Sequence, residues 1–224
     1  GPGKCWRLWN EAEHARRPRF DLPEVARTDL TQAFLTLNML QQEKSFQWLQ
    51  KPSDDARIRG LKVLEELGCL EKDSRAGRES DHVTELGREV SRLPIHPRLA
   101  ILLIEGAKRG VLREVAVAAA LLTERDPFRA GGQSGSQPRD IIKSRIRSDL
   151  FEKVLLLQHF HATGADVEVS GLPPLHHGAA RSVLRAADQY FHLAAKRCGV
   201  RATDPAYVFR EVFLTAYPDR LCRI

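Results

Sequence analysis

The sequence predicts a mainly α-helical protein, with one small β-hairpin in its first half and an α-helical bundle in its second. Three observations predict it. A helix, helix, hairpin, helix order is legible between residues 21 and 93. A rigid punctuation, Leu93-Pro94-Ile95-His96-Pro97-Arg98-Leu99-Ala100, follows. The chain then turns into long apolar and Ala-rich runs with no strand signal.

Lys4-Cys5-Trp6-Arg7-Leu8-Trp9 alternates polar and apolar side chains, as a short strand would. No second strand lies close by, so the chain is expected to be a piece of something longer. From Leu22-Pro23-Glu24 a helix is expected down to Gln42. Pro23 suits the first turn, and Ala26, Leu30, Ala33, Phe34, Leu37 and Leu40 share one face. Arg27, Thr28 and Asp29 fall off that face and are either solvated or free to touch a neighbouring domain. Ser53 before Asp54-Asp55 is an N-cap signal, and the helix it opens is expected to bury Ile58, Leu61, Leu64 and Leu67 before stopping at Gly68. Two short arms from Cys69 to Thr84, around a charged tip, read as a β-hairpin. Thr84-Glu85-Leu86-Gly87 opens another short helix that ends near Leu93. This is the outline of a winged-helix module, in altered order.

Pro94 and Pro97 bar any helix from passing through, because each fixes φ and pushes the residue before it towards extended geometry. Leu99 to Ile104 is apolar on every side, which predicts a helix buried all round and a seam between two halves. His96 and Arg98 at this turn either cap neighbouring carbonyls or reach a partner. Val111 to Glu124 is a further apolar helix, stopped by Asp126-Pro127-Phe128. Arg129 to Pro138 is a Gly/Ser-rich low-complexity stretch. Asp140 to His161 reads as a helix with a break near Ser148, and Gly164 to Pro174 as a loop. The last long helix is expected over His176 to Cys198, with Ala180, Val183, Leu184, Ala187, Phe191 and Ala194 inside. Arg181, Arg185, His192 and Lys196 fall within about 60° of one another on its outer face, with Asp188 among them. From Tyr207 to Leu221 the pattern is mixed and stops without a closing signal.

Bulk numbers narrow the function. The 224 residues carry 35 Lys and Arg against 29 Asp and Glu, a formal net charge of +6, which favours a polyanionic partner. No run approaches the roughly 20 apolar residues of a membrane span, and Gly1-Pro2-Gly3 is not followed by the pattern of a signal sequence. Cys5, Cys69, Cys198 and Cys222 stand far apart without C-x-x-C spacing, so a reducing, cytoplasmic compartment is expected. Catalytic signatures are scarce: there is no phosphate loop, no H-E-x-x-H and no G-x-S-x-G. His159 with His161, and His176 with His177, lack the spacing that would place two imidazoles on one helix face for a metal. Glu65 and Glu66 have no partner to raise a pKa. Arg139, Lys143 and Arg147 repeat at i, i+4 and i+8. With Arg181, Arg185 and Lys196 they form either two walls of a groove for a phosphate backbone or a solvated basic face. Both readings stay open.

Several ordered stretches together resemble one family. Gly1-Pro2-Gly3-Lys4-Cys5-Trp6-Arg7-Leu8 is similar to G-P-G-x-C-x-R-L, and Pro23-Glu24-Val25 with Arg27-Thr28-Asp29-Leu30 to P-E-I-x-R-x-D-L. Leu64, Leu67-Gly68-Cys69-Leu70 and Thr84-Glu85-Leu86-Gly87 resemble L-x-x-L-G-A-L and L-T-x-L-G. Leu93 to Ala100 resembles L-P-L-H-P-R-L-A, and Asp126-Pro127-Phe128 with Ser148-Asp149-Leu150 the P-F and S-D-H/L signatures. The whole is similar to the C-terminal accessory region, winged helix plus ratchet-like helical bundle, of DEAH-box ATP-dependent RNA helicases of the bacterial HrpB type. The chain departs from the pattern at Leu150, where eukaryotic members carry His, and in the Gly/Ser insertion at 131–136.

The resemblance implies a division into residues 1–20, the end of a second RecA-like motor domain; 21–93, a winged helix; 94–200, the helical bundle; and 201–224, the start of a following region. It implies that the parent protein hydrolyses ATP with Mg in its motor domains and moves along single-stranded RNA, with DNA as a possible second substrate. This chain, which lacks the ATPase motifs, would be inactive alone and carry no cofactor. The RNA-facing positions would be Arg145, Arg147, Ser148 and Asp149, with Arg181 and Arg185. Arg27, Asp29, His96 and Arg98 would brace the motor domains of the same chain. A rival from another class is a free-standing winged-helix regulator of duplex DNA. Its recognition helix would be the one after Ser53, where Asp54, Asp55, Glu65 and Glu66 oppose Arg57, Arg59 and Lys62.

Overall fold

The structure, a computed structural model, describes residues 1–18, 20–73, 80–128, 148–164, 174–197 and 199–220. In order, its helices are α1 (Glu11–Arg16), α2 (Thr31–Met39), α3 (Asp54–Glu66), α4 (Glu85–Ser91), α5 (Pro97–Lys108), α6 (Leu112–Thr123), α7 (Asp149–Thr163), α8 (His177–Ala194) and α9 (Pro205–Ala216). Between α3 and α4 stand β1 (Leu70–Asp73) and β2 (Ser80–Val83), paired antiparallel with Leu70 opposite Val83 and Lys72 opposite Asp81. The mainly α fold with a single hairpin agrees with the sequence.

The first unit is built from local signals. Ser53 Oγ accepts from the Ala56 amide at 3.2 Å and Thr84 Oγ1 from Gly87 at 3.0 Å, so both N-caps form where the sequence places them. Gly68 takes φ 68°, closing α3. Phe34, Leu35, Leu61, Leu64, Leu67, Leu70 and Val90 fill the core beneath the hairpin. Pro97 then occupies the first turn of α5, whose residues from Pro97 to Ile104 are all buried. α5 packs against α4 on one side and against α6, α8 and α9 on the others, so it is the spine joining the two units.

Four expectations are corrected. Residues 4–9 form no strand; Trp6 and Leu8 are 83% and 94% exposed, and an alternating pattern without a pairing partner leaves its backbone to water. The helix from Glu24 is not continuous. A single 3-10 turn, Glu24–Ala26, is followed by a break, because Thr28 Oγ1 donates back to the Glu24 carbonyl and Asp29 accepts from the Thr31 amide at 2.8 Å. Ile58 is 58% exposed, since α3 turns Gly60, Leu61 and Leu64 inward instead. The mixed stretch after Tyr207 is the helix α9. Asp204 caps it, and Phe209, Val212 and Ala216 enter the common core beside Phe151.

The chain closes on α5 at both ends. After α8, the Gly199 amide donates to Ala107 O at 2.8 Å and the Ala202 amide to Gly110 O at 3.2 Å. Gly110 sits at φ 73°, and a Cβ there would overlap the Val200 carbonyl oxygen. At the other end Arg98 holds the Pro218–Arg220 turn.

Candidate nucleic-acid interface

Asp126-Pro127-Phe128 links α7 and α8. Lys153, in the second turn of α7, donates to Asp126 at 2.8 Å and lies over the Phe128 ring, 5.4 Å from its centroid. The His176 amide donates to Pro127 O at 2.7 Å, and Phe128 forms a bridge with Leu175, just ahead of α8. Burial pushes the Asp126 carboxyl up, but the bonds from Lys153 and the Phe128 amide outweigh it, so its pKa falls below the ordinary carboxylate value. The Asp126–Phe128 segment therefore touches α7 through Lys153 and the cap of α8 through His176, while His177 packs on Phe160 in the last turns of α7, ring centroids 5.0 Å apart.

Ser148 and Asp149 open α7, one turn ahead of Lys153. Ser148 Oγ accepts from the Phe151 amide at 3.3 Å as the α7 cap, and Asp149 is exposed in the first turn. His176 Nδ1 accepts from the Ala179 amide at 3.1 Å, capping α8. Arg181 and Arg185 are exposed on the second and third turns beyond it, and Arg185 also donates to Ser182 Oγ at 3.0 Å. A helix N-terminus and two guanidinium groups on one face suit phosphate oxygens. Asp149 and Glu152 offset part of that charge at α7. Arg145 and Arg147, with Arg139 and Lys143, lie outside the described residues. Lys196 is exposed four turns from Arg181 at the far end of the helix, so it does not belong with Arg181.

The positions assigned to bracing separate. His96 caps α5 by accepting from the Arg98 amide at 3.3 Å through Nδ1, and its Nε2 is 3.4 Å from Asp29 Oδ2. Burial pushes the Asp29 carboxyl up, yet the Thr31 bonds and the His96 ring bring it below the ordinary value. Asp29 and His96 thus join the break before α2 to the start of α5. Arg27 is exposed. Arg98 points inward: its guanidinium donates to both Asp219 carboxylate oxygens at 2.7 and 2.9 Å and to Ala216 O at 3.0 Å, with Tyr217 beside it. Arg98 holds Asp219 below the ordinary carboxylate value. Sequence reasoning did not pair these residues, which stand far apart in the chain.

Comparison with known proteins places this architecture. Residues 96–167 match the family described as helicase associated domain (HA2), ratchet-like, and the match begins at His96, the cap of α5. Over those residues the helical unit is similar to a ratchet-like, helicase-associated domain. The ATP-dependent RNA helicase HrpA of Escherichia coli is 35% identical over 127 residues, 56% of this chain and 10% of that protein. The probable ATP-dependent RNA helicase DHR2 of Saccharomyces cerevisiae is 30% identical over 50% of this chain and 15% of its own length. The crystal structure of the E. coli DExH-box NTPase HrpB superposes with a TM-score of 0.58 at 18% identity, covering 94% of this chain and 20% of that one, which is a likeness of fold. The sequence is thus similar in part to these helicases, and the fold is like that of HrpB. It spans only a small part of each of these relatives.

Proposed function

We propose that this chain is the accessory module of an ATP-dependent RNA helicase, bracing the RecA-like motor domains of the same protein and completing the channel for single-stranded RNA. The observation that carries the reading is the ratchet-like match beginning at the cap of the buried spine α5, with the exposed Arg181 and Arg185 on a helix packed against that spine.

The division of labour follows from the residues. Nothing in the sequence cradles a nucleotide, so ATP and Mg are held by the motor domains, and hydrolysis takes place there. The module supplies a rigid wall: α5 ties the hairpin-bearing unit to the bundle, and the start of α7, with Ser148 and Asp149, and the exposed face of α8, with Arg181 and Arg185, are the two segments offered to the strand. Phosphate contacts of this kind position a strand without reading its sequence. The exposed Trp6, Leu8, Phe20 and Leu22 ahead of α2 fit a surface that the second motor domain covers. The reading puts the protein in the cytoplasm, with DNA as an alternative strand. The test is to titrate the chain with a fluorescein-labelled single-stranded RNA and assay it for ATP turnover. Binding with no turnover is expected; turnover by the chain alone would overturn the assignment.

A further inference from the structure

Beside α8, a cleft of about 260 Å3 opens between α6, α7 and the segment after α8. Glu114 of α6 lines it. This side chain is 4% exposed, and its two oxygens are unequal: Oε1 accepts from Arg201 at 2.9 Å, whereas Oε2 is buried with no hydrogen-bond partner. A buried carboxylate oxygen without a donor is costly, and more so when the group is charged. Its position beside an open cleft marks a place for an incoming N–H. The other walls define the shape of that group. Arg113 lies over Phe191, 4.8 Å from the ring centroid, so its guanidinium plane offers a flat, cationic stacking surface. Leu184 and Ala187 give an apolar side, and Gln158 and Asp188 add polar atoms at the rim.

We propose that the cleft takes a single nucleobase bearing an exocyclic amine, which donates to Glu114 Oε2 while its ring stacks on Arg113. The inference rests on the single-strand channel reading and deepens it by naming a base preference. Arg113 and Arg201 balance Glu114 and Asp188 around the cleft, so its lining carries no net charge, which suits a neutral base. A buried acceptor in the cleft wall requires a donor that projects from the ring edge, as the amines of cytosine and adenine do, and carboxylates accept from cytosine N4 in this way. Uracil fails: its N–H lies between two carbonyl oxygens that would face the carboxylate. Arg201, 65% exposed beyond its one contact, turns its outer arm aside to admit the base while keeping hold of Oε1.

The experiment compares 12-nucleotide oligo(C) and oligo(U), two pyrimidine strands of equal charge, on the chain and on its Glu114→Gln variant. The unmodified chain should bind oligo(C) roughly tenfold more tightly than oligo(U). In Glu114→Gln, Arg201 retains the amide oxygen, so the NH2 group occupies the place of Oε2 and donates. The preference should then reverse towards uracil, whose O4 accepts. A misfolded variant would lose both strands, which a reversal excludes, and the comparison on the unmodified chain stands without it. Equal affinity of the unmodified chain for the two strands would overturn the base site and leave the channel intact. A cytosine preference unchanged in Glu114→Gln would overturn the role of Glu114. Binding to neither strand would overturn the channel reading and the base site together.

Discussion

Removing Asp219 should destabilise the protein more than removing its partner Arg98. The two form a bidentate pair at 2.7 and 2.9 Å, but their surroundings differ, with side-chain exposures of 9% for Arg98 and 27% for Asp219. In Asp219→Ala the guanidinium stays charged, because arginine does not deprotonate in proteins, and only the Ala216 carbonyl and the Tyr217 ring remain to it. Breaking a buried pair in this way costs about 3–5 kcal/mol, and partial access to water at Asp219 brings the figure to about 3. Arg98→Met fills the space with an apolar chain and leaves a carboxylate that water reaches, so about 1.5 kcal/mol is expected. The double variant buries no unpaired charge and should lie near 2 kcal/mol, below Asp219→Ala alone. Urea unfolding of all four proteins at pH 7 provides the cycle. The folded pKa of Asp219 lies below its unfolded value, so the pair's contribution is complete above the ordinary carboxylate pKa, about 4, and fades as pH falls through the depressed folded value. The gap between wild type and Asp219→Ala should therefore hold from pH 7 to 5 and narrow in stronger acid. Additive single effects, or an Asp219→Ala cost under about 0.5 kcal/mol as for a surface pair, would refute the reasoning.

Other consequences are equally direct. Gly110→Ala forces an L side chain to φ 73° and against the Val200 carbonyl, so a loss of roughly 3 kcal/mol is expected in urea unfolding; a loss under about 0.5 would mean that the segment after α8 is not held against the α5–α6 turn. Leu103→Ala, at a fully buried site on the spine, should cost about 2–5 kcal/mol and unfold both units in one transition; two separated transitions would show that α5 does not join them. Burial pushes the Cys69 thiol up to about 11, so iodoacetamide at pH 8 should label exposed Cys5 and spare Cys69, as peptide mapping would read; equal labelling would contradict the packed hairpin base.

What the sequence disclosed was whatever local chemistry decides. Ser53, Thr84 and Pro97 open helices because their own side chains or rings fix the first turn, and Leu99 to Ile104 is buried because no face of it tolerates water. Misreadings came from competition that periodicity does not register. Ala26, Leu30 and Phe34 keep helical spacing across residues 27–30, yet the Thr28 and Asp29 side chains take over the backbone bonds there. The site suffered most from distance along the chain. Arg98 meets Asp219 across 121 residues and Arg201 meets Glu114 across 87, and neither leaves a local trace. The one available signal for the cleft was Glu114 itself, an acid within the apolar run from Val111 onwards, in a helix whose neighbouring positions are buried.

The salt dependence of RNA binding tests the central claim most directly. For single strands the slope of log K against log salt concentration is about −0.7 for each phosphate neutralised. If Arg181 and Arg185 line the channel, Arg181→Ala with Arg185→Ala should weaken binding of a single-stranded RNA 12-mer between 50 and 200 mM salt and flatten that slope by about 1.4. An unchanged slope would show that the strand does not pass this face of α8.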